Sequence, residues 1–210
     1  MIRSPLAEPI VLASNNAGKV RELNQLLADT RISVVPQRDF GIPDAAETGL
    51  TFVENAIIKA RQAARLSARP AIADDSGLEV DALGGAPGIH SARYAGAQAS
   101  DADNLKKLLA ELEGVDEPAR SARFHCVLVY LAHAHDPTPL ICQGTWEGRI
   151  LRAARGAHGF GYDPIFWVPT HGCSSAELEP AIKNQLSHRG QALRCLRERL
   201  EATHPVASGD

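Results

Sequence analysis

Apolar and polar positions along the chain follow patterns that predict both strands and helices. Residues 9–14 and 32–35 form two short apolar runs, which predicts two strands. Between them, apolar residues recur at helical spacing and predict a helix over residues 19–29. The apolar positions of that helix are Val20, Leu23, Leu26 and Leu27. A strand, a helix and a second strand in this order are typical of an α/β fold.

Capping boxes mark the starts of two further helices. After a Gly- and Pro-containing loop at residues 40–49, Thr51 and Glu54 have the spacing of such a box. One side of the predicted helix carries Phe52, Ala56, Ile57, Ala60 and Ala64. Ser100 and Asp103 have the same spacing and precede an apolar helical face.

The middle of the chain favours strands that follow one another directly. Residues 71–73 form a short strand that runs into Asp74, and residues 124–132 and 140–150 predict an antiparallel pair. A short strand at 164–168 and a final helix over 187–202 complete the pattern. This order suits an elongated or two-lobed α/β fold around a mixed β-sheet with flanking helices.

Composition limits the classes of protein that fit. Of the 210 residues, 44% are hydrophobic and 22% are charged. We expect one domain over residues 1–210, with flexible tails at about residues 1–8 and 203–210. The formal net charge of −3 gives no reason to expect nucleic acid or an anionic membrane as a partner. An anionic substrate must then be bound by local basic groups and backbone amides.

The cysteines indicate a reducing compartment. None of Cys126, Cys142, Cys173 and Cys195 belongs to a C-x-x-C pair, which argues against a zinc site. The longest early apolar run, residues 10–13, is too short for a signal peptide or a membrane span. We therefore expect a cytoplasmic protein with free thiols.

The first candidate site joins the first strand to the first helix. It consists of Ser14, Asn15, Asn16, Ala17, Gly18 and Lys19. A small polar turn at this point leaves helix N-terminal amides available for a phosphate, and Lys19 adds a positive charge. The segment is not a P-loop, because Ala13 and Val20 replace the first glycine and the hydroxyl residue of that motif. The alternative is an ordinary turn capped by asparagine.

The second candidate site is the acidic pair Asp74 and Asp75. Carboxylates at the end of a strand suit Mg²⁺, which is commonly held by one or two of them plus substrate phosphates. Neighbouring side chains of an extended backbone point to opposite faces, so we expect one aspartate to face the site and the other to support the loop. Glu47 is a candidate second ligand. The alternative is an Asx-type turn beside a solvated glutamate.

The third candidate site is the glycine-rich segment 156–164. Its glycines let the backbone approach a ligand closely, while Phe160 and Tyr162 present aromatic rings. A base stacked on Phe160 would contribute about 1–3 kcal/mol. The alternative is a glycine-rich turn with aromatic core anchors.

The fourth candidate site lies at the start of the last helix. Lys183, His188 and Arg189 bring cationic donors to this end, where they suit a phosphate or the oxygen-rich edge of a base. The alternative is a capped helix with surface charges.

Taken in order, eight segments of the chain resemble the inosine triphosphate pyrophosphatase family, which includes the bacterial dITP/XTP pyrophosphatases. Each motif alone is unspecific, but their shared order over roughly residues 10–200 is not expected by chance. The matching segments are residues 14–22, 47–49, 51–55, 72–77, 85–88, 91–96, 159–163 and 187–192.

The resemblance implies a two-lobed fold with a substrate cleft between the lobes, usually in a homodimer. It implies that deaminated purine nucleoside triphosphates (ITP, dITP and XTP) are hydrolysed between the α- and β-phosphates, which cleanses the nucleotide pool. It also implies Mg²⁺ as cofactor, Asp75 as metal ligand and catalytic proton acceptor, and Glu47 as second ligand. The residues implied to contact nucleotide are Ser14, Asn15, Asn16, Ala17, Gly18, Lys19, Ser76, Phe160, Gly161, Tyr162, Asp163, Lys183, His188 and Arg189.

Two other functions stay open at the level of sequence. One is an enzyme on a related fold that cleaves modified pyrimidine triphosphates. The other is a nucleotide- or RNA-binding module without turnover, against which Asp74 and Asp75 argue, because a simple phosphate binder gains nothing from paired acids without a metal.

Overall fold

A computed structural model of the chain describes residues 9–27 and 32–203. The chain starts with strand β1 (Ile10–Leu12), helix α1 (Ala17–Leu27) and strand β2 (Val34–Pro36). Helix α1 begins two residues earlier than predicted, and the end predicted for it at residue 29 lies outside the described residues. β1 pairs in parallel with β2, as a strand–helix–strand connection requires.

Helix α2 (Phe52–Ser67) starts where the capping pattern predicted, with the Thr51 hydroxyl accepting a hydrogen bond from the Glu54 amide. The predicted end of strand β3 (Ala71–Val80) was wrong, since the strand continues through Asp74 and Asp75 instead of ending at residue 73. The polar residues do not end the strand, because both aspartates find cationic partners and apolar residues resume at Leu78.

Helix α3 (Asp101–Glu111) has the complete capping box predicted at Ser100. It is followed by strands β4 (Ser121–Leu131) and β5 (Leu140–Ile150), which are neighbours in the sheet. Strands β6 (Phe166–Val168) and β7 (Cys173–Ser174), helix α4 (Pro180–Leu186) and helix α5 (His188–Thr203) close the described chain. β7 and α4 were not predicted, because two and seven residues are too few for a periodic pattern.

The seven strands form one mixed sheet in the order β2-β1-β3-β4-β5-β6-β7. β1 is parallel to both of its neighbours, whereas β6 is antiparallel to both of its neighbours. The predicted mixed sheet with flanking helices is therefore confirmed.

The chain divides into two compact units. Unit 1 comprises the described residues within 1–75, 127–143 and 191–210, and unit 2 comprises residues 76–126 and 144–190. Strands β3, β4 and β5 contribute residues to both units, so the division falls within strands and not at linkers. The prediction of a single domain with flexible tails stays a prediction, since the tails lie outside the described residues except for residue 203.

Each unit has its own hydrophobic core. In unit 1, helix α2 buries a row of alanines against β1, β3 and β4, and small side chains allow this helix to pack closely on the sheet. In unit 2, aromatic and aliphatic residues from β3 to β6 surround Phe166, and Phe124 lies 4.5 Å from its ring centroid. Within residues 9–27 and 32–203, no helix combines the length and apolar character needed to cross a membrane.

Candidate active site

The acidic pair in β3 directs its two carboxylates to two different cations in unit 1. Asp74 lies 2.7 Å from the Lys19 ammonium group, and Asp75 lies 2.6 Å from the Lys59 ammonium group. The prediction that the two side chains point to opposite faces explains this division. Asp74 thus holds the lysine at the start of α1, while Asp75 belongs to a separate cluster.

That cluster is centred on Lys59, a residue of α2 that the sequence motifs did not single out. Its Nζ atom donates to Oδ1 of Asp75 at 2.6 Å, to Oε1 of Glu47 at 2.9 Å and to the carbonyl of Asp74 at 2.9 Å. Both predicted metal ligands, Glu47 and Asp75, are therefore brought to one ammonium group. The Oδ2 atom of Asp75 is buried and accepts no hydrogen bond from any residue that the structure describes.

The helical periodicity of the sequence indicates that Lys59 lies on the buried face of α2. The buried residues of α2 include Asn55, Ala56, Ala60 and Ala63. Lys59 falls on this same face, at three and four residues from its members. A lysine on a buried helix face needs an anionic partner, because burial of an unpaired charge is costly.

Burial and the attraction between opposite charges act against each other on the pKa values of this cluster. Burial raises the pKa of Asp75, although the positive charges of Lys59 and Lys19 oppose the rise. For Lys59, burial lowers the pKa, but attraction by Asp75 and Glu47 outweighs it and leaves the pKa raised. Asp75 is thus a carboxylate that gains a proton more readily than an exposed one.

The segment from Ser14 to Lys19 forms a tight turn at the start of α1. The Ser14 hydroxyl accepts from the Asn16 amide, and the Asn16 side chain accepts from the Lys19 amide, so asparagine caps the helix. Ala17 and Gly18 fall in the first turn, where amides lack acceptors within the helix. Asn15 donates to Asp44 at 2.9 Å. Capping and phosphate binding are compatible, since the first turn offers more donors than the cap uses.

Glu47 is positioned by the entry into α2. Two residues after Glu47, the amide of Gly49 donates to Asn55 at 2.8 Å. A Cβ atom at Gly49 would lie 2.5 Å from the Cβ of Glu54, so only glycine fits. This close approach fixes the loop that carries Glu47 against the helix that carries Lys59.

Unit 2 assembles the other predicted residues around Phe160. The Arg189 guanidinium carbon lies 5.8 Å from the centroid of the half-buried Phe160 ring, and the Lys183 ammonium group lies 5.4 Å from it. Arg189 also donates to the Ser76 hydroxyl at 2.9 Å. Ser76 directly follows Asp75 along β3, so unit 1 and unit 2 share this strand.

The loop around Phe160 is held by Asp163. Its carboxylate pairs with Lys183 at 2.6 Å and accepts from the Phe160 amide and the Ser175 hydroxyl. Gly159 is required here, since a Cβ atom would lie 2.1 Å from the Asp163 carboxylate. Gly161 donates its amide to Asp101 at 2.8 Å. Asp163 and Lys183 are both buried, which makes this pair a support for the loop.

Tyr162 and His188 pack within unit 2. Tyr162 belongs to its hydrophobic core and donates its hydroxyl to the Ser91 carbonyl, as an aromatic core anchor does. The His188 ring stacks on Phe124, with centroids 4.7 Å apart and planes 10° apart. His188 and Arg189 are 5% and 2% exposed, so they are not the surface charges that the alternative interpretation required.

Gly190 allows the start of α5 to approach α4. A Cβ atom at this position would lie 1.8 Å from the Asn184 carbonyl oxygen. The Gly190 amide donates to the Ser187 hydroxyl, which caps the helix. The sequence Ser187-His188-Arg189-Gly190 therefore sets where His188 and Arg189 stand.

The residues of the Lys59 cluster fit a magnesium ion that also has substrate ligands. In the part of the chain that the structure describes, no group of three or more His, Cys, Asp or Glu side chains could hold a metal ion. Asp75 and Glu47 supply two carboxylates, and the buried Oδ2 of Asp75 is available as an oxygen donor. This is the number of protein ligands that suits Mg²⁺ when phosphates complete its shell.

The comparison with known proteins decides the family. The sequence model of the Ham1 family matches residues 10–199. The chain belongs to the Ham1 family. It is 64% identical over 192 residues to a Vibrio cholerae protein named dITP/XTP pyrophosphatase, covering 91% of this chain and 96% of that protein.

Solved structures of Ham1 proteins agree with this assignment. A HAM1 protein from Coxiella burnetii matches with a TM-score of 0.85 at 55% identity, covering 92% of this chain and 98% of that one. A Mycobacterium abscessus structure, described as a nucleoside-triphosphatase or dITP/XTP pyrophosphatase, matches with a TM-score of 0.71 at 37% identity, covering 95% of this chain and 100% of that one. The resemblance inferred from the sequence motifs is thus confirmed.

Proposed function

We propose that this Ham1 protein is a nucleoside-triphosphate pyrophosphatase that hydrolyses ITP, dITP and XTP to monophosphate and pyrophosphate. Its relatives named dITP/XTP pyrophosphatase support the substrate class. The observation that carries the chemistry is the buried Oδ2 atom of Asp75, which has no hydrogen-bond partner among the described residues while Oδ1 is fixed by Lys59. The physiological role is removal of deaminated purine nucleotides from the pool.

The residues of unit 1 hold the triphosphate. Lys19, the turn from Ser14 to Asn16 and the first-turn amides of Ala17 and Gly18 provide positive charge and donors. Phosphoryl transfer needs positioning and charge neutralisation more than covalent chemistry, which fits a site without an activated serine or cysteine. These donors would stabilise the pyrophosphate group as it leaves.

Asp75 and Glu47 are the residues that would hold Mg²⁺. When bound, the ion would neutralise charge on the triphosphate. Lys59 has a separate role, because its ammonium group keeps the two carboxylates in place and balances their charge.

Asp75 acts as the general base. Its carboxylate takes a proton from the attacking water, the water oxygen bonds to the α-phosphorus, and the bond from that phosphorus to the bridging oxygen breaks. A bound Mg²⁺ would favour the ionised form of this carboxylate, which is the form that accepts a proton. Lys59 fixes Oδ1 and thereby the orientation of the whole carboxylate.

The residues of unit 2 hold the base. Phe160 offers a ring for stacking. Arg189 is buried beside this ring, and His188, which is also buried, directly precedes Arg189 in α5. Inosine and xanthosine present a 6-oxo acceptor, whereas adenosine presents a 6-amino donor. Donors at this position would be satisfied by the first two bases and opposed by the third. Tyr162, Asp163 and Lys183 support the loop, and Gly161 lets its backbone come close to the base.

Assembly and location are part of the same proposal. A homodimer is proposed from the family resemblance, and a cytoplasmic location from the four free cysteines. Neither nucleic acid nor a membrane is proposed as a partner, in keeping with the net charge of −3.

A substrate screen that measures pyrophosphate and orthophosphate separately tests the proposal. The protein is incubated with Mg²⁺ and, in parallel, ITP, dITP, XTP, ATP, GTP, TTP and a methylated UTP, with Asp75→Asn as the inactive control. We expect equal amounts of monophosphate and pyrophosphate from ITP, dITP and XTP. Orthophosphate as a first product contradicts the cleavage site, and faster turnover of TTP or methylated UTP favours the pyrimidine alternative. Binding of ITP without turnover favours a binding module.

A further inference from the structure

Two cysteines of unit 1, neither of which is a candidate active-site residue, lie close together. Cys142 lies in β5 and Cys195 lies in α5, and their Sγ atoms are 2.8 Å apart. A disulfide bond joins sulfurs at about 2.05 Å, so the two groups are free thiols in close contact. The residues are 53 positions apart in the chain, yet both belong to the same compact unit.

The two thiols differ in their surroundings. Cys142 is 1% exposed, and its burial raises the pKa of its thiol. Cys195 is only half-buried, so it is the member of the pair that a small oxidant reaches more readily from solvent. Arg199, one helical turn after Cys195, donates to the Ile141 carbonyl beside Cys142 and interacts with the Cys142 thiol. A guanidinium group at this place favours negative charge on the sulfur pair as it reacts.

We propose that Cys142 and Cys195 form a reversible intramolecular disulfide when the protein meets a peroxide. The sulfur of Cys195 attacks one peroxide oxygen, the O–O bond breaks, and sulfenic acid and one water form. The sulfur of Cys142 then attacks that of Cys195, the S–O bond breaks, and a second water leaves with the remaining thiol proton. Two thiols lose two electrons in total, and hydrogen peroxide is reduced to two molecules of water.

The bond would close a large loop of the chain. The segment between the two cysteines includes all of β6, β7 and α4 and the predicted substrate residues from Phe160 to Arg189. Cross-linking a loop of this length removes conformational freedom from the unfolded chain. We expect the oxidised protein to unfold at a temperature higher by on the order of 10 °C.

Peroxide treatment of the reduced full-length protein tests the proposal. Intact mass, the number of alkylatable thiols and a peptide map without reductant are measured before and after oxidation, and again after dithiothreitol. We expect a loss of two hydrogens, a decrease from four alkylatable thiols to two, and a peptide pair joining positions 142 and 195. Dithiothreitol should reverse all three changes and the gain in unfolding temperature.

Two variants and a matched control make the test specific. Cys195→Ser should abolish the mass change and the gain in unfolding temperature. Cys142→Ala should likewise lose the cross-link and the gain in unfolding temperature. It should instead gain one oxygen as sulfenic acid at Cys195, which dimedone traps. Cys173→Ser, which alters a half-buried cysteine of unit 2, should still form the cross-link. Four intact thiols after peroxide, a cross-link through Cys126 or Cys173, or a bond between two chains would overturn the proposal.

Discussion

The Nζ atom of Lys59 lies 2.6 Å from Oδ1 of Asp75 and thereby leaves Oδ2 as the oxygen of that carboxylate without a hydrogen-bond partner among the described residues. The two oxygens of one side chain thus have separate tasks. One is fixed by a cation on the neighbouring helix, and the other is available to a metal ion or a water molecule. The cation also holds Glu47, so a single lysine organises both predicted metal ligands.

Replacing Lys59 should impair turnover and move its pH dependence. Burial raises the pKa of Asp75 and Lys59 opposes that rise, so its loss should raise this pKa further. In Lys59→Met we expect kcat for ITP to fall by about 100-fold or more, and the acid limb of kcat/KM to move to higher pH. Arg65→Met, an exposed change on the same helix, is the control. An acid limb at the wild-type pH would contradict the assigned contact.

Replacement of Asp75 should mainly lower kcat, whereas replacement of Asp74 should mainly raise KM. Asp75→Asn keeps the size of the side chain but removes the base, so kcat for ITP should fall at least about 100-fold at saturating Mg²⁺. Asp74→Asn acts through Lys19 and should mainly raise KM, with a smaller loss of kcat. Steady-state kinetics of both variants check this division. Near-normal kcat in Asp75→Asn would show that another group takes the proton.

Variants of the unit 2 residues should distinguish a loss of nucleotide binding from a loss of base selection. Phe160→Ala removes a stacking surface that every purine uses, so it should weaken ITP and ATP alike. His188→Ala and Arg189→Ala should instead reduce the preference for ITP over ATP, by about 1–3 kcal/mol for each buried donor lost. Measurement of kcat/KM for both nucleotides in the three variants decides the matter. If neither cationic variant changes the ratio, His188 and Arg189 contact phosphate and not the base.

The buried pair of Asp163 and Lys183 should stabilise the folded protein. Asp163→Asn removes the charge that faces the buried ammonium group, and we expect the free energy of unfolding to fall by about 3–5 kcal/mol. Asp101→Asn is a matched control, because Asp101 accepts a hydrogen bond from the same loop but is exposed. Its cost should stay near 1 kcal/mol. Urea unfolding compares the two, and equal losses would contradict the supporting role of the buried pair.

Gly190→Ala tests whether the contact between α4 and α5 positions the base-reading residues. Helix propensity alone predicts a gain of about 1 kcal/mol for this change. The added Cβ would lie 1.8 Å from the Asn184 carbonyl, so we expect a lower unfolding temperature and a lower kcat/KM for ITP. Arg194→Ala, an exposed change on the same helix, should leave both near wild type. A stabilised and fully active Gly190→Ala protein would show that the helices do not depend on this contact.

Local sequence patterns determined much of the fold. The helices after Thr51 and Ser100 begin where their capping residues predict, because a cap depends on groups within one helical turn. The opposite directions of Asp74 and Asp75 also follow from local geometry, since the side chains of an extended backbone alternate. The order of the short motifs was enough to predict the family.

Contacts between distant residues were decided only by the tertiary structure. β3 continues past Asp75 because Lys19 and Lys59, far away in sequence, satisfy its two carboxylates. The contacts of Lys183 with Asp163 and of Cys195 with Cys142 likewise join residues 20 and 53 positions apart. Periodicity predicts which face of a helix or strand is buried, but the partner on that face depends on how the elements pack. Lys59 is the clearest case: its position on a buried face was readable from the sequence, whereas its contacts with Glu47 and Asp75 required the fold.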